Sequence, residues 1–449
     1  MVNRISRPPP DAFRNSKMNG ARSMGFRWFA ITAAALFLCL TASFFAPVAC
    51  RKVQAASAIL SQRGYLWQRE WTPAVADAFC HANRKMDGVV VLGAEVHWRN
   101  GVAHIVPSSI PWEVVACENK PIAIAVRVAP FPGPFAADDA SVRAVAGTVR
   151  ALLAEARSRG VAVAEFQLDF DCAQDKLAGY RVWLRALRPL VRPLPFVITA
   201  LPSWLDAPDF AALAREVDGY VLQVHSVPTA KETGRDSLCD PALARKWVAK
   251  AERLGLPFFV ALPTYRCLAG FGPAGNLLGI SMDSVQPAWP PNTRIAHLSA
   301  DADDLAGLVS GWTLARPSQM AGILWYRIPV ATDVRNWRWP TLAAVMDGRA
   351  PLHKLEISQV GENPIDFSVV NSGEADEWNL PPVVVTWDHA ALLSGDALAG
   401  WALTTSPGRA EFRPCEGGIL PPGAKRAIGW LRYDRPTHPK AVAGGTSGL

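Results

Sequence analysis

The sequence lacks the motifs that would announce a cofactor, a metal ion or a nucleotide. Its 8 cysteines include no CxxC pair and no Cys/His cluster at zinc spacing, which argues against a structural zinc site. No HxH or HxxE spacing surrounds His97 or His225, so no local metal-ligand motif is present. No glycine-rich phosphate loop follows an early strand, which removes the main argument for a doubly wound nucleotide-binding sheet. No cofactor and no metal are expected. An excess of one charge is also missing from most of the chain. The net charge of +7 arises in residues 1–50, which hold six Lys or Arg and one acid, whereas the remainder has 40 basic and 38 acidic residues. A nearly neutral body excludes nucleic acid as the expected partner.

One long uncharged run is present, from Trp28 to Cys50, preceded by Arg22 and Arg27. It is long enough to span a bilayer, with positive charge on its amino-terminal side. The same run reads as a signal peptide, since Val53-Gln54-Ala55 resembles a small-residue cleavage site. Both readings make residues 1–55 a targeting segment of an exported, periplasmic or cell-envelope protein whose only membrane contact is through residues 28–50. In an exported protein the six cysteines after Cys50 are candidates for disulfides. Cys239 and Cys267, both in loops at one end of the expected fold, are the first pair to consider.

From Gly64 onward, short apolar runs alternate with amphipathic ones. Strands are expected at 64–71, 87–97, 121–129, 161–171, 195–203, 218–226, 257–265 and 321–329. Helix signals lie between most of them: Thr72-Pro73 and Asp240-Pro241 as starts, Gly160 and Gly255 as stops. Eight strands alternating with helices predict a (β/α)8 TIM barrel over residues 60–347. The crossover from Trp98 to Lys120 has little helical period and a turn signal at Asn100-Gly101. Residues 227–239 and 266–300 become rim loops. After Pro351 the pattern changes to short alternating strands, which predicts a small antiparallel β-sandwich over residues 352–435. Residues 436–449, rich in Gly, Pro and Ala, read as a disordered tail.

The run Val161 to Cys172, VAVAEFQLDFDC, shows where chemistry could sit. On a strand, Glu165, Gln167, Asp169 and Asp171 share one face and Phe166, Leu168 and Phe170 the other. Carboxylates in a closed core lose hydration, so the polar face is expected to meet a solvated cavity. The same parity brings inward Arg69 or Glu70, Glu95, His97, Arg127, Gln223, His225, Tyr265, Trp325 and Arg327. Two neighbouring carboxylates raise each other's pKa, and one held protonated near neutral pH can donate to a glycosidic oxygen. Asp171 is the candidate general acid, Asp169 tunes it, and Glu95 is the candidate second carboxylate. Substrate contacts are expected from Trp325, as a platform for a sugar ring among 17 tryptophans, and from Tyr265, His225, Gln223, Gln167, Arg127, Arg327 and His97.

The FQLDFDC segment resembles the end of the fourth strand in chitinase-like barrel glycosidases, where acidic residues alternate before a terminal glutamic acid that donates the proton. The resemblance places Asp171 at the donor position. Asp171 is shorter than that glutamic acid, and Gln167 stands where those enzymes have another aspartate. A broader resemblance, through LWQREWTP, FQLDFDC, ITALPSWL, LQVHS and VALPTY, is to the bacterial domain-of-unknown-function family 3142 over residues 60–430. It implies an exported barrel protein and no particular activity. The expected function is a glycoside-hydrolase-like envelope protein whose partner is a polysaccharide or oligosaccharide. A barrel that binds carbohydrate without cleaving it, and a metal-dependent hydrolase using Asp171, His97 and His225, are the alternatives.

Overall fold

A computed structural model describes residues 60–226, 237–282, 288–398 and 400–444. Residues 1–55, expected from the sequence to be a targeting segment, lie outside them. Among the described residues no helix is long and apolar enough to cross a membrane.

Runs of β-branched and aromatic residues form the strands β1 (Ser61–Leu66), β2 (Gly88–Arg99), β3 (Val102–Pro107), β4 (Ile122–Val128), β5 (Val163–Phe170), β6 (Phe196–Ala200), β7 (Gly219–Gln223), β8 (Phe258–Pro263), β9 (Arg266–Phe271), β10 (Leu277–Ser281), β11 (Arg294–Ser299) and β12 (Met320–Tyr326). Strands β1, β2, β4 to β8 and β12 pair in parallel, and β12 closes on β1. The result is the expected eight-stranded barrel. Helices α1 (Pro73–Lys85), α2 (Trp112–Cys117), α3 (Ala140–Ser158), α4 (Leu177–Val191), α5 (Phe210–Ala214), α6 (Pro241–Glu252), α7 (Ala302–Leu314) and α8 (Trp339–Met346) lie between the strands or follow the last one.

Local signals explain the helix ends. Asp139, Asp240 and Asp301 each accept backbone N–H bonds at the starts of α3, α6 and α7, satisfying donors that have no partner within the helix. Thr72, expected to do the same for α1, makes no side-chain cap. Gly160 and Gly255 follow α3 and α6 with φ of 71° and 66°, a left-handed conformation that a side chain disfavours.

The barrel separates two apolar sets. Outward residues such as Val89, Ile124, Leu168, Ile198 and Ile323 pack with the helices in one large core. Inward residues form a smaller cluster that includes Tyr65, Val90, Ala123, Ala125, Val221, Ala261 and Leu324. The alanines leave room inside the barrel for larger polar side chains.

Two crossovers carry extra strands. Asn100 and Gly101, with φ of 51° and 76°, turn β2 into the antiparallel β3. Between β8 and α7, β10 and β11 flank β9 in a three-stranded antiparallel sheet, where the sequence predicts a loop. Cys267 lies in the core of this rim sheet, whereas Cys239 lies in the large core beneath the helices. Because they face different clusters, the expected Cys239–Cys267 disulfide does not form. No disulfide joins any of the described cysteines.

Beyond the barrel come β13 (Leu355–Val360), β14 (Ile365–Asn371), β15 (Val383–Thr386), β16 (Leu392–Ala397), β17 (Trp401–Ser406), β18 (Arg409–Pro414), β19 (Lys425–Tyr433) and β20 (Lys440–Ala443). They build two four-stranded antiparallel sheets, β13-β14-β19-β16 and β17-β18-β15-β20. Phe367, Val369, Val383, Val385, Phe412 and Leu431 share the core between them, so the predicted sandwich is present. Strand β20 falls in the segment expected to be a disordered tail. Its backbone completes the edge beside β15, which orders residues 440–443 despite their weak strand propensity.

Candidate active site

Strand β5 projects its polar stripe into the barrel, one residue per layer. At the floor, both oxygens of Glu165 accept from Arg63 at 3.0 Å, and the Arg63 guanidinium lies 5.0 Å from the centre of the Phe259 ring. One layer higher, Tyr65 Oη donates to Gln167 Oε1 at 2.7 Å, and Gln167 Nε2 donates to Glu165 Oε1 at 2.7 Å. Thus the lower half of the stripe is hydrogen-bonded and paired, as burial of polar groups requires. Only the upper half meets open space.

Asp169 occupies the next layer. Thr199 Oγ1 donates to its Oδ1 at 2.8 Å, and Arg127 Nε stands 4.0 Å from Oδ2. Arg127 in turn lies 3.8 Å from Glu95, which also faces Arg69 at 3.6 Å. Asp171 follows the end of β5 at the exposed mouth, with the Gln223 side chain hydrogen-bonded to it. Burial, reinforced by the charge of Asp171, pushes the Asp169 carboxyl up to about 6 against the opposing pull of Arg127 and Thr199. Burial also raises Asp171, opposed by Arg127 and Gln223. The two acids therefore hold a proton together at a pH where isolated aspartates would be ionised.

Above them lies a cavity of about 360 Å3 at the carboxyl-terminal end of the strands. Its polar wall is Arg127, Asp169, Asp171, Thr199 and Gln223, and its other wall is largely aromatic: Tyr65, Trp67, His225, Tyr265 and Tyr326. Ile280 and Met282, from β10 and just after it, complete the rim. His225 stacks on Tyr326 with ring centres 5.9 Å apart and planes 17° apart. Its Nδ1 lies 3.2 Å from the Ala261 carbonyl, a hydrogen bond that needs the proton on that nitrogen. Burial pushes His225 down to about 4, so the ring is neutral at ordinary pH. Burial likewise pushes the Tyr326 hydroxyl up to about 12, keeping it protonated.

Of the residues singled out in the sequence, Asp169, Asp171, Arg127, Gln223, His225 and Tyr265 meet at this cavity. Gln167 lies one layer below, and Glu95 touches the site through Arg127. The remaining three lie elsewhere. Trp325, expected inward as a sugar platform, points outward: it is 0% exposed in the large core and donates from Nε1 to Gln62 Oε1 at 2.8 Å. Strand β12 has apolar residues on both faces, so alternation could not assign its inward side, and the residue facing the cavity is Tyr326. Arg327 is held by Asp333 at 2.5 Å, away from the lining. His97 is on the hairpin, stacked on His104 with ring centres 5.7 Å apart, because β3 covers that end of β2. Among the described residues no group of three or more His, Cys, Asp or Glu side chains is gathered to hold a metal.

Tyr65, Thr199 and Tyr326 are among the lining residues that the sequence pattern does not mark. Thr199 was open to recognition, since it is the one polar side chain within the apolar strand Phe196–Ala200.

Fold and site together define a (β/α)8 barrel with a carboxylate pair set opposite aromatic rings at its carboxyl-terminal mouth. Within that class, residues 118–331 match the family described as a domain of unknown function, DUF3142, and residues 357–434 match a second one, DUF8456. No curated protein matches the chain. Similar solved structures include a chitinase from Bacillus thuringiensis, 10% identical, covering 86% of this chain and 100% of that one with a TM-score of 0.42. The spore cortex-lytic enzyme of Bacillus cereus is 13% identical over 65% of this chain and 74% of its own, with a TM-score of 0.44. A xylanase and alpha-amylase inhibitor protein from Scadoxus multiflorus is 10% identical over 64% and 97%, with a TM-score of 0.38.

Proposed function

We propose that this protein is a carboxylate-dependent hydrolase of glycosidic bonds, acting on a polysaccharide or oligosaccharide of the cell envelope. The observation that carries the reading is the acid pair Asp169 and Asp171, both raised in proton affinity, at the mouth of a cavity with an aromatic wall. Asp171, the outer member, donates the shared proton to the departing glycosidic oxygen. Asp169 lies below it, fixed by Thr199 and Arg127, and once the shared proton has left the pair its carboxylate stabilises positive charge developing on the sugar ring. Water adds to the ring carbon, and its proton returns to Asp171. Glu95 is engaged by Arg69 and Arg127 and does not line the cavity, so its role is to hold Arg127 rather than to attack the sugar. The uncharged run at residues 28–50 supports a place in the envelope.

Hydrolysis of a panel of bacterial and plant glycans by wild type and Asp171→Asn tests the proposal. The substitution is expected to lower turnover by about 10²–10⁴, the weight of a general acid. Equal turnover would remove Asp171 from the chemistry. One observation favours a second reading, a barrel that binds saccharide without cleaving it: among the described lining residues no further carboxylate faces the pair. That reading predicts glycan binding that survives Asp171→Asn and no product after long incubation.

A further inference from the structure

The charge of the cavity restricts its ligand further. Arg127 is the one cation among the described lining residues, and Asp169 and Glu95 sit on either side of it at 4.0 and 3.8 Å. His225 supplies no positive charge, since burial pushes it down to about 4. What faces the open space is the acid pair, which keeps one negative charge while it holds a single proton, through its outer member Asp171, and a cluster of rings centred on Tyr326. Tyr326 has ring neighbours at 5.9 Å (Tyr65), 5.6 Å (Trp67), 5.9 Å (His225) and 5.6 Å (Tyr265). Ring faces carry negative electrostatic potential and attract cations, the more so where water is excluded. An anionic group placed here would meet the acid pair and the ring cluster, and the charge of Arg127 is already shared between Asp169 and Glu95.

We infer that the saccharide taken by this site is cationic, a glycan bearing free ammonium groups, recognised between Asp171 and the ring cluster around Tyr326. The inference rests on the saccharide reading above and names the charge class of that ligand. It excludes uronic-acid and sulfated glycans and ranks an N-acetylated chain below its free-amine counterpart. Acetylation removes the charge while leaving the ring faces of the sugar available for stacking, so the two forms differ in the property at issue. The cavity volume of about 360 Å3 falls within the range of small-ligand sites, which restricts recognition to a few sugar units.

The test is calorimetric titration of the full chain, at about pH 6, with a glucosamine oligomer, an N-acetylglucosamine oligomer of the same length and a galacturonate oligomer. The glucosamine oligomer is expected to bind roughly tenfold tighter than the N-acetylated one, the weight of a partly desolvated cation–ring contact, and the galacturonate oligomer not to bind. Tyr326→Phe retains the ring and keeps the preference, whereas Tyr326→Leu reduces it to roughly twofold or less, as loss of that contact requires. Should Tyr326→Leu not fold, raising salt to about 0.5 M makes the same test on the wild type, because screening narrows a charge-based preference. Equal or tighter binding of the N-acetylated oligomer, or binding of galacturonate, overturns the inference. Product analysis of the same samples separates this inference from the catalytic reading. Preferential binding of the amine without cleavage leaves the inference standing and removes hydrolysis, and cleavage of both glucosamine forms without preference does the reverse.

Discussion

At the scale of single residues, Asp169 sets function against stability. Its carboxyl is raised from 3.8 to about 6, chiefly because burial penalises the anion. A carboxylate that binds its proton more tightly in the folded chain than in the unfolded one stabilises the fold at low pH. That contribution is complete below about 3.8 and is lost as pH rises towards 6, a difference of about 3 kcal/mol at most. Asp169→Asn keeps an oxygen for the Thr199 hydroxyl and removes the charge. The variant is therefore expected to be more stable than wild type by about 2 kcal/mol at neutral pH, with the gain vanishing near the unfolded value of 3.8. Urea denaturation of both proteins across that interval reads this directly. A constant difference at every pH would mean that Asp169 is not the titrating group. Wild-type activity should fall as well, as pH rises through about 6 and the pair loses its proton.

Strand β5 shows at the scale of elements how one alternating stripe serves two purposes. Its lower half is structural: Glu165 and Arg63 are only 12% and 13% exposed and meet at 3.0 Å. Removing one member of such a pair leaves an uncompensated charge inside the barrel. Arg63→Met is expected to cost about 3–5 kcal/mol, and Arg63→Met with Glu165→Gln to recover most of it. A coupling below about 0.5 kcal/mol in that double-mutant cycle would show the two to be independent. The stripe was legible in the sequence because Glu165, Gln167 and Asp169 alternate with Phe166, Leu168 and Phe170, and the single polar residues Arg127 and Gln223 marked their strands in the same way. β12 was illegible, since Ile323 and Trp325 are as apolar as Leu324 and Tyr326. In β1 the polar candidates Arg69 and Glu70 lie beyond Leu66, where the strand ends, so parity there does not point to Tyr65. The rim sheet is hidden in the sequence for another reason. Its strands are short and interrupted by Gly270 and Gly279, and Trp289 packs over both glycines, a long-range contact that no local pattern reports.

At the scale of the whole molecule, the sandwich is joined to the barrel through the residue that opens the rim sheet. Arg266 at the start of β9 pairs with Asp376 at 2.7 Å, and the two side chains are 10% and 8% exposed. Arg266 also donates to the Val334 and Asn336 carbonyls at 3.2 and 3.3 Å, and its guanidinium lies 5.3 Å from the centre of the Trp378 ring. Burial raises Asp376 even with this partner, so Asp376 without Arg266 would be a buried acid with no counter-charge. Arg266→Ala is expected to destabilise the protein by about 3–5 kcal/mol. The sandwich keeps a core of its own, built on Phe367, Val383 and Phe412 and separate from the barrel core. Loss of the clamp should therefore split one calorimetric transition into two rather than only lower it. Asp376→Asn leaves Arg266 its bonds to the Val334 and Asn336 carbonyls but no counter-charge, and should destabilise the protein to a similar extent. If Arg266→Ala melts in one step at the wild-type temperature, the two bodies are held by other contacts, among them the Thr341 hydroxyl donating to the Glu374 carbonyl at 2.6 Å, and the ion pair is incidental. The rim sheet ties this outcome to the site, because the chain running through Tyr265 into β9 carries a cavity residue immediately before the clamp. A loosened clamp should accordingly weaken saccharide binding while leaving the proton affinity of the Asp169 and Asp171 pair, anchored on β5 and β6, unchanged.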